Sequence, residues 1–404
     1  MEVLQDTYKD TKIGRIPKDW EVLQIKDIVT FEKSISYGVL KPGEYIPNGI
    51  PMIQIKDVKA NKVSVNDLHL ISEKLDEQYR RTKLKGGEIV ISLVGTIGKI
   101  AIIPKLLENG NIHRNLGLLR INSSKYVVDY IYNCLLSNGV QNRITSISVG
   151  STQALFNLGD LKKIRLPLPP LPEQQKIAAI LSTLDEQIST TDKIIEKSKE
   201  LKKGLMQKLF SEGIGHTEFK DTKIGRIPKY WDLLSVDKCI LKKKFSVGKI
   251  PKKDYFKEGS FPIIDQSKTF IIGYSNHSEL LYNGNLPAII YGDHTNHVKY
   301  VNQPFICGAD GVKIIQPLDE LDNKFIYYSI LYRKPQSEGY RRHFSILKEK
   351  ILCIPTFAEQ QEIASILSEA DAKIEKEQTQ KAQLEALKKG LMQQLLTGKK
   401  RVKV

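Results

Sequence analysis

Two stretches of this chain, residues 173–210 and 359–396, carry apolar residues in steps of three and four with no proline inside them, and they restrict the fold more than any other feature. In the first, Ile177, Ile180, Leu181, Leu184, Ile188, Ile194, Ile195, Leu201 and Leu205 fall along one helical face. Pro167, Pro169, Pro170 and Pro172 precede it; proline suits the first turn of a helix and not its interior, and Glu173 follows at the positive end of the helix dipole. At about 1.5 Å per residue such a helix is a rod of roughly 57 Å, and a rod with a single apolar stripe requires a partner.

The partner is the second stretch. Glu173-Gln174-Gln175 recurs 186 positions later as Glu359-Gln360-Gln361, and Leu201-Lys202-Lys203-Gly204-Leu205-Met206-Gln207 as Leu387-Lys388-Lys389-Gly390-Leu391-Met392-Gln393, with no slip of register between them. An antiparallel two-helix coiled coil is expected, with Ile177, Leu181, Leu184, Leu201 and Leu205 facing Ile363, Leu367, Leu387 and Leu391.

A second repeat extends this to the whole chain. Asp10-Thr11-Lys12-Ile13-Gly14-Arg15-Ile16-Pro17-Lys18-Asp19-Trp20 returns as Asp221-Thr222-Lys223-Ile224-Gly225-Arg226-Ile227-Pro228-Lys229-Tyr230-Trp231, an offset of 211 against 186 for the helices. The chain is two copies of one unit, each an arm ending in tryptophan, a globular body and a long helix. Its segments are a first body (1–165), a central helix (166–212), a second body (213–353) and a distal helix with its tail (354–404).

Within the bodies, Ile89-Val90-Ile91 matches Ala288-Ile289-Ile290, Leu118 to Ile121 matches Val312 to Ile315, and Tyr130-Ile131-Tyr132 matches Phe325-Ile326-Tyr327. Short β-type runs broken by Gly, Asn and Pro, with short helices expected over 127–137 and 323–332, give an α+β fold class. The expected molecule has two pseudo-twofold related globular recognition domains separated by the long antiparallel two-helix coiled coil.

The 404 residues suffice for two or three domains. A formal net charge of +16 points to a polyanionic partner, and no basic amphipathic segment directs it to a membrane surface. No leader pattern and no apolar run of membrane-spanning length stands out, so a cytoplasmic location is expected. Cys134, Cys239, Cys307 and Cys353 are widely separated, which suggests neither a disulfide framework nor a zinc knuckle.

The two arms, Gly95-Thr96-Ile97-Gly98, and Ser151-Thr152-Gln153 leading into Leu166-Pro167-Leu168-Pro169-Pro170-Leu171-Pro172-Glu173-Gln174-Gln175 together resemble the DNA-sequence specificity subunit of type I restriction-modification systems. The resemblance covers essentially the whole chain. It implies a non-catalytic subunit with two target recognition domains, each reading one half of a bipartite double-stranded DNA site. It also implies docking of two DNA adenine methyltransferase subunits and of ATP-driven restriction subunits, with S-adenosylmethionine and any ATP and magnesium bound by those partners. The second copy departs from the pattern, with Ile354-Pro355-Thr356-Phe357-Ala358 in place of the polyproline run.

Each motif also has a plainer reading. The Leu/Ile stripe is packing whose functional content is length. Trp20 and Trp231, the two tryptophans of the chain, stand at equivalent places and read as core or hinge residues. Polar turns that differ between copies are where base reading has to reside. In the first body these are Ser36, Tyr37, Lys41, Thr96, Lys99, His113, Arg114, Asn115, Ser151, Thr152 and Gln153. In the second they are Lys242, Lys243, Lys244, Lys249, Lys252, Lys253, Gln266, Lys268, His294, Thr295, Asn296, His297, Lys299, Arg341, Arg342 and His343. Arg and Lys bridge guanine, Asn and Gln pair with adenine, and remaining lysines hold phosphates; for any one of them a solvated surface is the plainer account. Asp293 with His294 and His297 lacks further metal ligands, and Gly95 to Lys99 has isoleucine where a phosphate loop requires Ser or Thr. No nucleophile, base and orienter set can be assembled, which points to a binding protein. The competing reading is a coiled-coil scaffold that binds nucleic acid without sequence preference; a catalytic reading finds no motif.

Overall fold

A computed structural model of the chain describes residues 7–30, 35–149, 156–243, 245, 248, 250–308, 311–336 and 342–403. It resolves into two compact units: residues 1–191 with 380–404, and residues 192–379. Each unit therefore takes one half of each long helix, Leu171–Ser211 and Phe357–Leu395.

The units are built alike. In the first, strand Ile89–Ser92 lies between Ile100–Ile102 and Leu116–Leu119, and Ile35–Tyr37 pairs on the far side of the latter, all antiparallel. A second sheet sets Ile50–Ile53 parallel to Asn111–Ile112 and antiparallel to His69–Ile71. In the second unit Ala288–Gly292 lies between Val298–Val301 and Val312–Ile315, and Phe261–Ile264 pairs in parallel with Ile306–Cys307 and antiparallel with Gly273–Ser275. These central strands are apolar except at Ser92 and buried on both faces, which is why they read as continuous runs and not as alternation. Helices Val128–Leu136 and Asn323–Arg333 occupy the expected places. The extra length of the first body goes chiefly into the hairpin at Val58–Val63 and the helix Asn138–Val149.

Pairing corrects the strand matches. Ile89 faces Leu119 and Ile289 faces Ile315, so Ile89 corresponds to Ile289 and Leu119 to Ile315, one and two positions from the sequence match. Uniformly apolar strands carry no alternation to fix their register.

The arms are hairpins, Tyr8–Thr11 with Gly14–Pro17 and Phe219–Thr222 with Gly225–Pro228, and each delivers its tryptophan to the start of a long helix. Trp20 is 0% exposed and donates from Nε1 to Glu173 Oε2 at 3.0 Å; Trp231, 1% exposed, donates to Glu359 Oε2 at 3.0 Å. The next residue is equally fixed: Gln174 accepts from Val127 N and donates to Pro169 O, while Gln360 accepts from Asp322 N and donates to Pro355 O. The repeated Glu-Gln pair thus ties helix start, arm and body helix together, and in place of the polyproline run the second long helix starts behind Pro355 with the Thr356 hydroxyl accepting from Glu359 N at 3.4 Å. A basic side chain completes each clamp. In the first unit Arg401 Nε donates to Glu173 Oε1 at 2.7 Å while its other nitrogens bridge Asp19; in the second His216 Nε2 lies 2.8 Å from Glu359 Oε1. Gly398 and Gly213, with φ of +69° and +67°, turn the chain there, and an added Cβ would meet Pro17 Cδ at 2.3 Å or Trp231 Cζ2 at 2.6 Å.

Within each unit the long helices run antiparallel. Ile177 and Leu181 share the first core with Leu395 and Leu396, and Leu209 and Phe210 share the second with Ile363 and Leu367. Lys388 Nζ donates to Asp185 Oδ1 at 2.6 Å in the first unit, and Lys202 Nζ to Asp371 Oδ1 at 2.5 Å in the second. The covered seam follows a strict alternation of four and three through Ile177, Leu181, Leu184, Ile188, Thr191, Ile195, Ser198, Lys202, Leu205 and Leu209. Leu201 and Leu387 depart from expectation: they are 60% and 51% exposed, because Lys202 and Lys388 hold the seam position beside them. One residue is about 100° of helix, enough to turn a leucine out of the seam.

Candidate nucleic-acid interface

In the first unit most of the nominated residues meet at one rim, where strand ends are tied by backbone hydrogen bonds. Leu93 N, just past the central strand, donates to Asn115 O at 2.8 Å, and Phe156 N donates to Leu93 O at 3.0 Å. Arg114 N donates to Val39 O at 2.9 Å, and His113 N to Ile53 O at 2.9 Å. Tyr37, on the edge strand with Ser36, accepts at its hydroxyl from Leu158 N at 3.3 Å. Thr96 and Lys99 belong to the hairpin above the same strand end, closed by Ser92, whose hydroxyl donates to Thr96 O at 2.5 Å and accepts from Lys99 N at 2.8 Å. Lys41, Thr96 and Arg114 are exposed, and Ser36, Lys99, His113 and Asn115 half-buried. Ser151, Thr152 and Gln153 lie outside the described residues.

Burial, the Arg114 charge and His69 hold His113 below the usual imidazole value. His69 was not singled out from sequence; it belongs to strand His69–Ile71, and the ring of Tyr45 meets it edge-on at 6.1 Å. Only strand pairing brings residues so far apart in sequence to one turn.

The corresponding end of the second unit is knotted by polar groups. Asp293 takes the place of Leu93: its N donates to Gly311 O at 2.7 Å, its O accepts from His343 N at 2.8 Å, its Oδ1 accepts from Phe344 N at 2.9 Å, and Lys313 Nζ stands 3.8 Å from Oδ2. Gln266 accepts from His294 N at 3.1 Å, and the Thr295 hydroxyl donates to Gln266 O. Several nominated residues are drawn inward. Asn296 is buried, donating to Pro335 O at 2.6 Å and accepting from the Tyr291 hydroxyl; His343 is buried; and Lys299 is buried with its ammonium on Asp265 O at 2.7 Å and Thr269 O at 2.6 Å. Burial lowers the Lys299 ammonium from its usual value, opposed by Asp265. Burial and then Lys334, Lys299 and Lys268 lower His297.

Lys268 and Arg342 are the nominated cations exposed near this knot. Lys252 and Lys253 are exposed on the turn Lys252–Asp254, next to Tyr255, whose hydroxyl would stand 2.9 Å from a Cβ on Gly308. Lys243 is exposed, and Lys242 is paired with Asp237. Lys244, Lys249 and Arg341 lie outside the described residues. Among the described residues no group of three or more His, Cys, Asp or Glu is placed to hold a metal ion, and no helix is long and apolar enough to cross a membrane. The four cysteines are buried, and none is in a disulfide.

Comparison with known proteins bears on this pair of rims. The sequence profile of the family described as "Type I restriction modification DNA specificity domain" matches residues 17–200 and 240–386. The type I restriction enzyme MjaX specificity subunit of Methanocaldococcus jannaschii is 33% identical over 99% of this chain and 98% of its own length. The MjaVIII specificity subunit of the same organism is 28% identical over 99% and 97%. In fold the chain is similar to a crystallised type I restriction-modification S subunit from M. genitalium, with a TM-score of 0.61 at 16% identity over 93% of this chain and 96% of that one. A chain from a structure of type I restriction-modification complex assembly follows, at 0.52 and 15% identity over 95% and 99%.

Proposed function

Because the chain belongs to the type I restriction-modification DNA specificity family, we propose that it reads a split DNA target, one half with the rim of each unit, while the long helices set the unspecified gap between the halves. It is the non-catalytic DNA-recognition component of such a system. Methyltransferase subunits dock on it so that each extrudes an adenine for N6 methylation, and restriction subunits join them. Leu201 and Leu387, apolar and exposed at equivalent places on the two helices, offer surfaces for that docking. S-adenosylmethionine and any ATP bind the partners. The excess of 16 positive charges supplies affinity through phosphates, so binding weakens as salt rises.

The observation that carries this reading is the contrast inside one repeat. The clamps are alike to the atom pair, Trp20 with Glu173 and Trp231 with Glu359, while the rims differ, Leu93 and Arg114 in one and Asp293 and Gln266 in the other. A structural repeat that keeps its frame and changes its rim suits two half-sites of different sequence. A scaffold without sequence preference has no use for that difference.

The test is a genome-wide map of N6-methyladenine in cells with and without the gene, the methyltransferase present in both. A split motif that disappears on deletion supports the reading, and exchange of residues 21–165 then rewrites one half only. Inserting one helical turn into both long helices is expected to lengthen the gap and leave the halves unchanged. An unaltered map, or equal affinity for cognate and scrambled duplex, returns the scaffold reading.

A further inference from the structure

Resting on the DNA-recognition reading above, we infer that Arg114 is a specificity-determining residue of the first unit and that its guanidinium reads a guanine in that unit's half-site.

Arg114 is exposed, and its guanidinium makes no hydrogen bond or ion pair with any described residue. Three other guanidiniums of this unit are engaged by the protein. Arg120 donates to Arg81 O at 2.7 Å and Lys83 O at 2.6 Å, Arg80 lies 3.7 Å from Glu77, and Arg401 bridges Glu173 and Asp19. An arginine left unpaired on a basic protein presents its donor fork to something outside the chain.

The backbone beneath it is fixed on every side. His113 N donates to Ile53 O, Arg114 N to Val39 O and Leu116 N to His113 O, each at 2.9 Å, and Asn115 O receives Leu93 N at 2.8 Å. The turn is therefore anchored to both sheets of the unit, and its tip is displayed by strand ends and not by a free loop. A side chain so mounted loses less freedom on contact, which is what a base-reading residue needs and a phosphate-holding lysine does not.

The surroundings select the ligand. Asn115 N donates to His113 Nδ1 at 3.3 Å, so that nitrogen carries a lone pair and the imidazole is neutral. His69 acts on the same imidazole, and the ring of Tyr45 meets His69 edge-on at 6.1 Å. A planar fork of donors next to the neutral His113 imidazole matches a base edge that offers two acceptors, and guanine presents O6 and N7 in the major groove.

The experiment uses the complex of this chain with its methyltransferase subunits and the split motif obtained from the methylation map. Labelled duplexes replace each guanine of the first unit's half-site in turn, and each is measured against the cognate duplex for wild type, Arg114→Ala and Arg114→Lys. Wild type is expected to discriminate by about 10- to 100-fold at the guanine concerned. In Arg114→Ala that ratio is expected to collapse toward one at a single position, with every ratio in the other half-site unchanged. Uniform weakening on all duplexes, restored by Arg114→Lys, would mean a phosphate contact and overturn the inference, as would preservation of every ratio. A motif that survives deletion of the gene instead overturns the recognition reading itself, so the two failures are distinct.

Discussion

The indole nitrogen of Trp20 donates to the carboxylate of Glu173 across 153 positions of sequence, and both groups are buried. Removing the acceptor leaves a buried N–H without its partner and Arg401 with Asp19 alone. Glu173→Ala is expected to destabilise the first unit by about 2 kcal/mol, with Glu173→Gln costing less because an acceptor oxygen remains for the indole. Urea unfolding followed by tryptophan fluorescence measures both. Equal midpoints for wild type and Glu173→Ala would remove the clamp as a source of stability.

The seam and the outward leucines call for opposite outcomes. Leu181→Ala and Leu367→Ala, at fully buried positions, are expected to cost about 2–5 kcal/mol. Leu201→Asp and Leu387→Asp are expected to stay within about 0.5 kcal/mol of wild type. Those two exposed variants should instead weaken co-purification with the methyltransferase subunits. Denaturant midpoints and a pull-down of the reconstituted complex separate the effects.

Lys388 with Asp185, and Lys202 with Asp371, are partly exposed pairs and each is expected to contribute modestly. A double-mutant cycle on Asp185→Asn and Lys388→Met should give a coupling of about 0.5–1 kcal/mol that shrinks in high salt. A coupling independent of salt would point to packing of the lysine stem and not to charge.

His113 and His297 are both lowered by burial and neighbouring cations, so the folded chain favours their neutral forms. Protons then bind the unfolded chain more readily, and the contribution of these groups to stability is whole above about pH 6.5 and is lost as pH falls below it. Urea midpoints at pH 7.5 and 5.5 are expected to differ less in a His113→Asn, His297→Asn variant than in wild type. An unchanged difference would assign the acid sensitivity to other groups.

The long helices, the doubled unit and the buried tryptophans were legible because each rests on a periodicity or an identity that sequence displays directly. What escaped depends on a fraction of a helical turn or on distant strands meeting. Leu201 looks like a stripe residue by composition, yet the seam passes through Lys202, whose long apolar stem lies in the interface while its ammonium reaches Asp371. Lys299, a candidate phosphate contact by residue type, folds inward onto carbonyls of a turn some thirty positions earlier. His69 reaches His113 only through the parallel pairing of Ile50–Ile53 with Asn111–Ile112, which no local pattern announces.

The second unit is one uninterrupted stretch, residues 192–379, whereas the first is completed by residues 380–404, with Leu395 and Leu396 in its core and Arg401 on its tryptophan clamp. During synthesis the ribosome must therefore translate the whole of the second unit before the first can close. At roughly 5–20 residues per second that is a delay on the order of ten to forty seconds. The body made earliest is the one finished last, and throughout that interval the face meant for Leu395 and Leu396 stays uncovered and open to chaperones or to the same segment of a neighbouring nascent chain.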